Sequence, residues 1–313
     1  MRGVSVTVVV PSYRRPSALR RCLEALAAQT HPPDQVVVAL QEDDAASAAV
    51  VAELRGRLPL VTATTADRRA VAIMAAGVEP ATGEIVAFTD DDAAPRPGWL
   101  AALLELYTSA DVGGVGGRDL VHEPGAAPEP PARVVGVVQW FGRVIHNHHR
   151  GTGPVRDVDV LKGVNMSMRR ELWRFEERLR GRGMQLHWEL DLCLRARREG
   201  WRLRYDPAIV VDHHRAPRVD EDPRSELTST SVTDWVHNEL YAVVRWSPWW
   251  RRVVAVAYAF AVGNRNAPGP LLLPERIARE SDVGEVLRRA RAGARGRVLA
   301  LRTVRDARRA QAP

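Results

Sequence analysis

Residues 4–10 are almost entirely apolar and β-branched, and Pro11 closes the run. That pattern predicts a strand buried on both faces. The period then changes. Leu19, Cys22, Leu23 and Leu26 recur at spacings of three and four, which predicts a helix over 16–29. The alternation repeats, with strands at 35–40, 60–63 and 84–89 and helices at 45–57, 70–78 and 99–107. This order predicts an α/β fold, a mostly parallel sheet flanked by helices, with ligands beyond the carboxyl ends of the strands. Further along, 113–131 is rich in glycine and proline and reads as loop. Residues 160–168 read as extended, 187–199 as helix, and 201–205 as a short strand ending at Asp206-Pro207. A charged, proline-broken stretch at 216–227 is the candidate boundary, and the chain beyond it reads as helical.

Composition narrows the classes. The 313 residues allow one large domain with an appendage, or two domains. Cys22 and Cys193 are the only cysteines and fall in helix-patterned stretches, so no disulfide scaffold is expected and a reducing compartment is. The N-terminus lacks the pattern of a signal peptide. The longest uncharged apolar stretch, 253–263, is far short of the ~20 residues that span a bilayer. The net charge of +7 is unevenly placed, because 271–313 carries 11 arginines against 5 acids, leaving +1 for the rest. A basic excess confined to one tail suits anionic lipid headgroups better than nucleic acid, for which no module is recognisable. The run Gly113–Gly117 is no dinucleotide fingerprint, since it follows a helix and not an opening strand.

The sharpest chemistry is Asp90, Asp91 and Asp92, directly after the apolar strand at 84–89. Adjacent carboxylates repel one another, and a divalent cation bound to phosphate oxygens relieves that repulsion.

These residues also carry a resemblance. Residues 8–16 (VVVPSYRRP), 23–29, 83–88 (GEIVAF) running into Asp90 to Asp92, 95–100, 162–167 (KGVNMS), and 189–195 (ELDLCLR) through Gly200 and Asp206-Pro207 to His213 resemble glycosyltransferase family 2. The segments span roughly the first 215 residues in the family's order. The resemblance implies a GT-A fold, a nucleotide-diphosphate sugar donor with a UDP-sugar favoured, and inversion at the anomeric carbon. Pro11, Ser12, Tyr13 and Arg14 would lie under the nucleotide, with Arg68 near the phosphates and Arg69 able to approach them. Asp43 or Asp44 would take the nucleobase. Asp90 would reach the ribose, with Asp91 beside it, and Asp92 with Asp90 or Asp91, and with His213, would hold Mg²⁺ or Mn²⁺. Glu189 aligns with the family's general base. Asp191, about 200° away around the helix, cannot face the same site and is expected to be structural. Gly117, Arg118, Asp119, Asn165 and Trp188 are the candidate acceptor contacts. The chain departs from the family at Ala75, where an asparagine is common. His146, His148 and His149 read as a polar acceptor loop or a metal site.

The expected domains are 1–215, catalytic, with a nucleotide-sugar half (1–120) and an acceptor half (121–215), and 216–313, helical and basic. Trp246, Trp249 and Trp250, followed by Arg251, Arg252 and the apolar 253–262, match either an interfacial helix or one packed on the catalytic domain. From Val283 an amphipathic pattern lies beneath nine arginines. The expectation is a hexosyltransferase, peripheral on the cytoplasmic face of the membrane, building cell-surface polysaccharide or glycolipid on a glycan or lipid-linked acceptor. The rivals are a sugar nucleotidyltransferase, for which the glycine-rich, lysine-bearing phosphate loop is missing, and a basic nucleic-acid binder.

Overall fold

The computed structural model describes residues 4–123, 125, 129–216 and 227–310. Its first half follows the predicted alternation: β1 (Val6–Pro11), α1 (Pro16–Ala27), β2 (Gln35–Gln41), α2 (Ala45–Leu54), β3 (Leu60–Thr65), α3 (Ala70–Val78) and β4 (Ile85–Phe88). β1 pairs in parallel with β2 and β4, and β2 with β3. Val8 and Val10 pack with Leu19, Leu23 and Leu26 of α1, whereas Val9 joins Val71 and Met74 of α3 on the other face. Both faces are covered, which explains the nearly unbroken apolar run.

There follow β5 (Ala93–Pro95), α4 (Trp99–Glu105), β6 (Val112–Val121), β7 (Val137–Val138), β8 (Val144–Ile145), β9 (Arg156–Val158), β10 (Met166–Arg169), α5 (Trp188–Arg198) and β11 (Arg202–His213). The main sheet has the order β3-β2-β1-β4-β10-β6-β11-β5, with β9 also on β11. β10 is antiparallel to both its neighbours, so the sheet is mixed. Because the chain moves from β1 out to β2 and β3 and returns to β4 on β1's other side, a crevice opens at the carboxyl ends of β1 and β4.

Two expectations are corrected. Residues 113–117 are not loop but the buried centre of β6. The glycines there allow close approach and break nothing: a Cβ on Gly113 would sit 2.7 Å from Trp201 Cβ, one on Gly116 2.7 Å from the Asn165 carbonyl oxygen, and one on Gly117 2.0 Å from that of Ile209. Gly117→Ala is therefore expected to destabilise by about 3 kcal/mol, roughly 5 °C in a melting curve. An unchanged Tm would contradict that packing. The strand at 201–205 likewise does not stop at Pro207. It crosses a register shift between Asp206 and Val210 and continues to His213, since a bulge tolerates a residue without an N–H.

The candidate boundary at 216–227 lies almost wholly outside the described residues. Beyond it come α6 (Ser229–Trp246), α7 (Trp249–Ala261), α8 (Leu273–Arg279) and α9 (Val283–Arg309). α9 lies along α6 and buries Val286, Ala292, Ala300 and Val304; a Cβ on Gly296 would come 2.5 Å from the Thr233 carbonyl oxygen. Two of its arginines are interior: Arg289 pairs with Glu280, and Arg297 donates to the Ala267 carbonyl. Among the described residues no helix is long and apolar enough to cross a membrane.

Candidate active site

A cavity of about 670 Å³ occupies the crevice. Its floor begins where β1 ends, with Pro11, Ser12 and Tyr13 on the lining. Ser12 is buried, and its hydroxyl donates to Asp91 Oδ2 at 2.8 Å. Arg15 Nη1 reaches Asp91 Oδ1 at 3.1 Å. Asp91 is thus engaged from below. Burial raises its carboxyl to about 6 against the pull of Arg15.

Asp90 and Asp92 stand differently. With His213 they bring one potential ligand atom each within 4.8 Å of one another. β11's continuation past Pro207 delivers His213, whose Nε2 lies 3.2 Å from Asp92 Oδ1 and whose Nδ1 lies 3.6 Å from Asp119 Oδ2. The Ala216 N–H donates to Asp92 Oδ2 at 2.8 Å, but Asp92 Oδ1 and both His213 ring nitrogens are buried without a hydrogen bond. Orphaned buried donors and acceptors are costly. The carboxylates of Asp90 and Asp92 and the His213 imidazole, the last two with unsatisfied atoms, fit a divalent cation such as Mg²⁺ or Mn²⁺. Burial pushes the Asp90 carboxyl up, and Asp92 adds to it. Burial would raise Asp92 too, but His213, the Ala216 N–H and Arg15 together hold it below the usual carboxylate range. Burial would lower the His213 imidazole, but Asp119 and Asp92 on its two sides raise it to about 9. The site strongly favours positive charge.

The start of α5 forms another part of the lining. Glu189 and Trp188 line the cavity there, and burial pushes the Glu189 carboxyl up while Lys162 pulls it down. Asp191 faces away and accepts from Trp246 Nε1 at 2.7 Å. Under Trp188 lies an aromatic layer in which Phe88 stacks on Trp173 at 4.2 Å between ring centres. Arg182, Met184 and Leu186 supply a further side of the cavity. Their loop is pinned by Asn238 of α6, whose side chain accepts from Arg180 N at 2.8 Å and donates to the carbonyls of Arg180 and Leu186 at 2.8 and 2.9 Å.

Of the expected residues, Pro11, Ser12, Tyr13, Arg68, Asp90, Asp91, Asp92, Trp188, Glu189 and His213 share the cavity. Others do not reach it. Arg14 sits at a left-handed φ of 53°, and its side chain pairs with Asp43 at 2.7 Å. Asp44 caps α2 through the Ser47 N–H. Arg69 pairs with Asp67 at 2.6 Å. Asn165 accepts from Trp99 Nε1 and donates to the carbonyls of Arg118 and Ile209, so it ties strands together. Gly117, Arg118 and Asp119 stand behind the lining on β6. The three histidines diverge: His148 is buried on the Val160 carbonyl, His149 reaches Glu129, and His146 stacks on His187 at 5.6 Å between ring centres. Conversely, sequence reasoning gave no role to Arg15, Lys162, Arg182 or Arg215, which all line the cavity.

Comparison with known proteins identifies the fold and the family. No sequence among the curated proteins matches the chain. Among solved structures, the mannosyltransferase PcManGT from Pyrobaculum calidifontis, in complex with GDP-Man and Mn²⁺, is similar at 19% identity over 93% of this chain and 74% of that one, with a TM-score of 0.52. TarS 1–349 from S. aureus in complex with UDP-GlcNAc is similar at 15% identity over 98% of this chain and 92% of that one, with a TM-score of 0.58. Both carry the fold. The family model described as "Glycosyltransferase like family 2" matches residues 3–229. With that match spanning well over half of its length, the chain belongs to glycosyltransferase family 2 and is a glycosyltransferase of the GT-A fold.

Proposed function

We propose that the protein inverts an anomeric centre by single displacement, moving a hexose from a nucleotide diphosphate to an acceptor hydroxyl with Glu189 as the general base. The observation that carries this is one cavity lined both by a cation-favouring cluster, Asp90, Asp92 and His213, and by a half-buried carboxylate, Glu189. Pro11, Ser12, Tyr13 and Arg68 underlie the nucleotide, and Arg15, through Asp91, keeps the end of β1 fixed beneath it. Asp90, Asp92 and His213 would hold Mg²⁺ or Mn²⁺, a Lewis acid that neutralises charge on the departing diphosphate. Glu189 accepts the acceptor's proton, and its desolvated position makes it a stronger base than a surface glutamate. Trp188 supplies an apolar surface beside it. UDP-sugars are the favoured donors, in keeping with UDP-GlcNAc in TarS, while GDP-Man in PcManGT makes the guanosine series the next to try. The test is thermal stabilisation by a panel of nucleotide sugars with and without Mn²⁺, since a ligand of the native state raises Tm by linkage. Stabilisation by a nucleotide sugar only when Mn²⁺ is present is the expected result, and none with any donor refutes the reading.

We further propose that the enzyme works at the cytoplasmic face of a membrane on a lipid-linked acceptor, in cell-surface glycan assembly. The support is α7, whose outer face exposes Trp249 (75%), Trp250 (45%) and Val253 (64%). Trp140, exposed at 59%, stands nearby through Phe141, which packs on Tyr258. Arg198 and Arg308 lie close enough to Arg252 to repel it. Tryptophans beside clustered arginines suit an anionic headgroup layer. Trp246 is not part of that face, being turned onto Asp191, and α9 is packed on α6 and so is no free basic arm. Co-flotation with phosphatidylglycerol vesicles is expected to weaken about tenfold in a Trp249→Ser, Val253→Ser double variant with an unchanged melting curve. Equal flotation of both proteins contradicts the assignment.

A further inference from the structure

Lys162 is the only lysine in the chain, against 44 arginines. It lines the cavity and, among the described residues, its ammonium makes no ion pair and no hydrogen bond with the protein. Its backbone is held rigidly. The Lys162 carbonyl accepts from Asn165 N at 2.9 Å, and the Asn165 side chain bridges β6 and β11. The next residue is pressed onto the indole beside Glu189, since a Cβ on Gly163 would lie 2.5 Å from Trp188 Cζ2. A long cationic side chain therefore starts from a fixed turn next to the proposed base. Its charge is felt by both groups of acids on the lining, drawing down the carboxyls of Asp90 and Glu189 alike.

Position decides what such a group can touch. In a single displacement the base and the leaving diphosphate lie on opposite sides of the anomeric carbon, so the space between them is filled by the sugar. Residue type points the same way. A guanidinium fork matches the paired oxygens of phosphates and carboxylates, whereas an ammonium turns its three donors toward hydroxyls lying in different directions. In a chain that uses arginine at every other cationic position, one lysine marks a site where the fork does not serve.

Resting on the donor-site reading above, we propose that Lys162 binds the transferred sugar itself, donating hydrogen bonds to its oxygens between Asp90 and Glu189. It is a residue of sugar specificity, separate from the groups that hold the nucleotide.

The test compares binding of UDP, GDP and dTDP with that of UDP-GlcNAc, GDP-mannose and dTDP-glucose, in Mn²⁺, by titration calorimetry on the full chain. In Lys162→Met the affinity for the bound nucleotide sugar, relative to its nucleotide, is expected to fall about tenfold, as for loss of hydrogen bonds to a charged group, while the nucleotide alone changes less than about twofold. An equal fall for both identifies a diphosphate contact and overturns the proposal, as does no change in either. A second readout needs no variant. Apart from the N-terminus, Lys162 is the only amine an acetylating reagent can modify, so its rate is read directly by mass spectrometry. The nucleotide sugar is expected to slow acetylation at least fivefold more than the nucleotide does, and equal protection refutes the assignment. Wild-type protein that binds none of these ligands refutes the donor-site reading itself, whereas binding with an unaltered ratio in the variant refutes only the role of Lys162.

Discussion

Replacement of Asp92 by asparagine is expected to lower donor turnover by about 10³-fold or more. A Lewis acid at a leaving group contributes several kcal/mol, and each 1.36 kcal/mol is tenfold in rate. Asparagine is the informative substitution because it retains an oxygen for the Ala216 N–H, now bonded to Asp92 Oδ2 at 2.8 Å, so the backbone after His213 keeps its anchor. What is lost is the charge facing His213 across 3.2 Å. Two signatures should accompany the rate loss. Mn²⁺ should no longer raise the variant's melting temperature, and EDTA should abolish wild-type turnover while leaving the residual rate of the variant untouched. A variant still stabilised by Mn²⁺ to the wild-type extent would remove Asp92 from the cation site.

Glu189→Gln is expected to cost about 10²- to 10⁴-fold in transfer, the range of a positioned general base, with donor affinity preserved. The pH dependence distinguishes a base from a group that merely binds. Glu189 works ionised, and burial raises its pKa above the ~4.3 of an exposed glutamate. The wild-type rate at saturating Mn²⁺ should therefore fall as pH drops through that raised value, giving an acid limb above pH ~4.3. Lys162 opposes the rise, so Lys162→Met should move the limb to still higher pH. In Glu189→Gln the limb should vanish along with most of the rate. Full transfer in that variant, or an unshifted acid limb, would assign the proton to another group.

The halves of the site differ in how far the sequence betrays them. Asp90 to Asp92 follow an apolar strand, and β1 ends at Pro11 after a run likewise buried on both faces, so strand ends and chemistry coincide locally. Glu189 could be separated from Asp191 by helical geometry alone, and the structure turns Asp191 onto Trp246. β6 was hidden because glycine is read locally as a breaker, whereas at Gly116 and Gly117 it answers to neighbours on β10 and β11. Asn165 and Asp119 are polar residues in a motif, and no spacing tells that one ties strands while the other flanks His213. Trp246 shares its composition with Trp249 and Trp250, yet only the fold decides which indole meets a carboxylate and which meets solvent. The signal at Lys162 was present all along, in the scarcity of its kind.

Asn238 has a consequence for the order in which the protein is made. The aspartates, Lys162 and Glu189 all leave the ribosome before α6, and α6 is seated by α9, which comes last among the described elements. Until α6 docks, the loop is held to α3, where Ala70 N donates to the Gly183 carbonyl at 2.9 Å and Val71 N to Gln185 Oε1 at 3.1 Å, and the side of the cavity formed by Arg182, Met184 and Leu186 lacks the Asn238 clamp. A nascent chain thus carries its acids and base before this side of the cavity has received its last fastening, which the later helices bring.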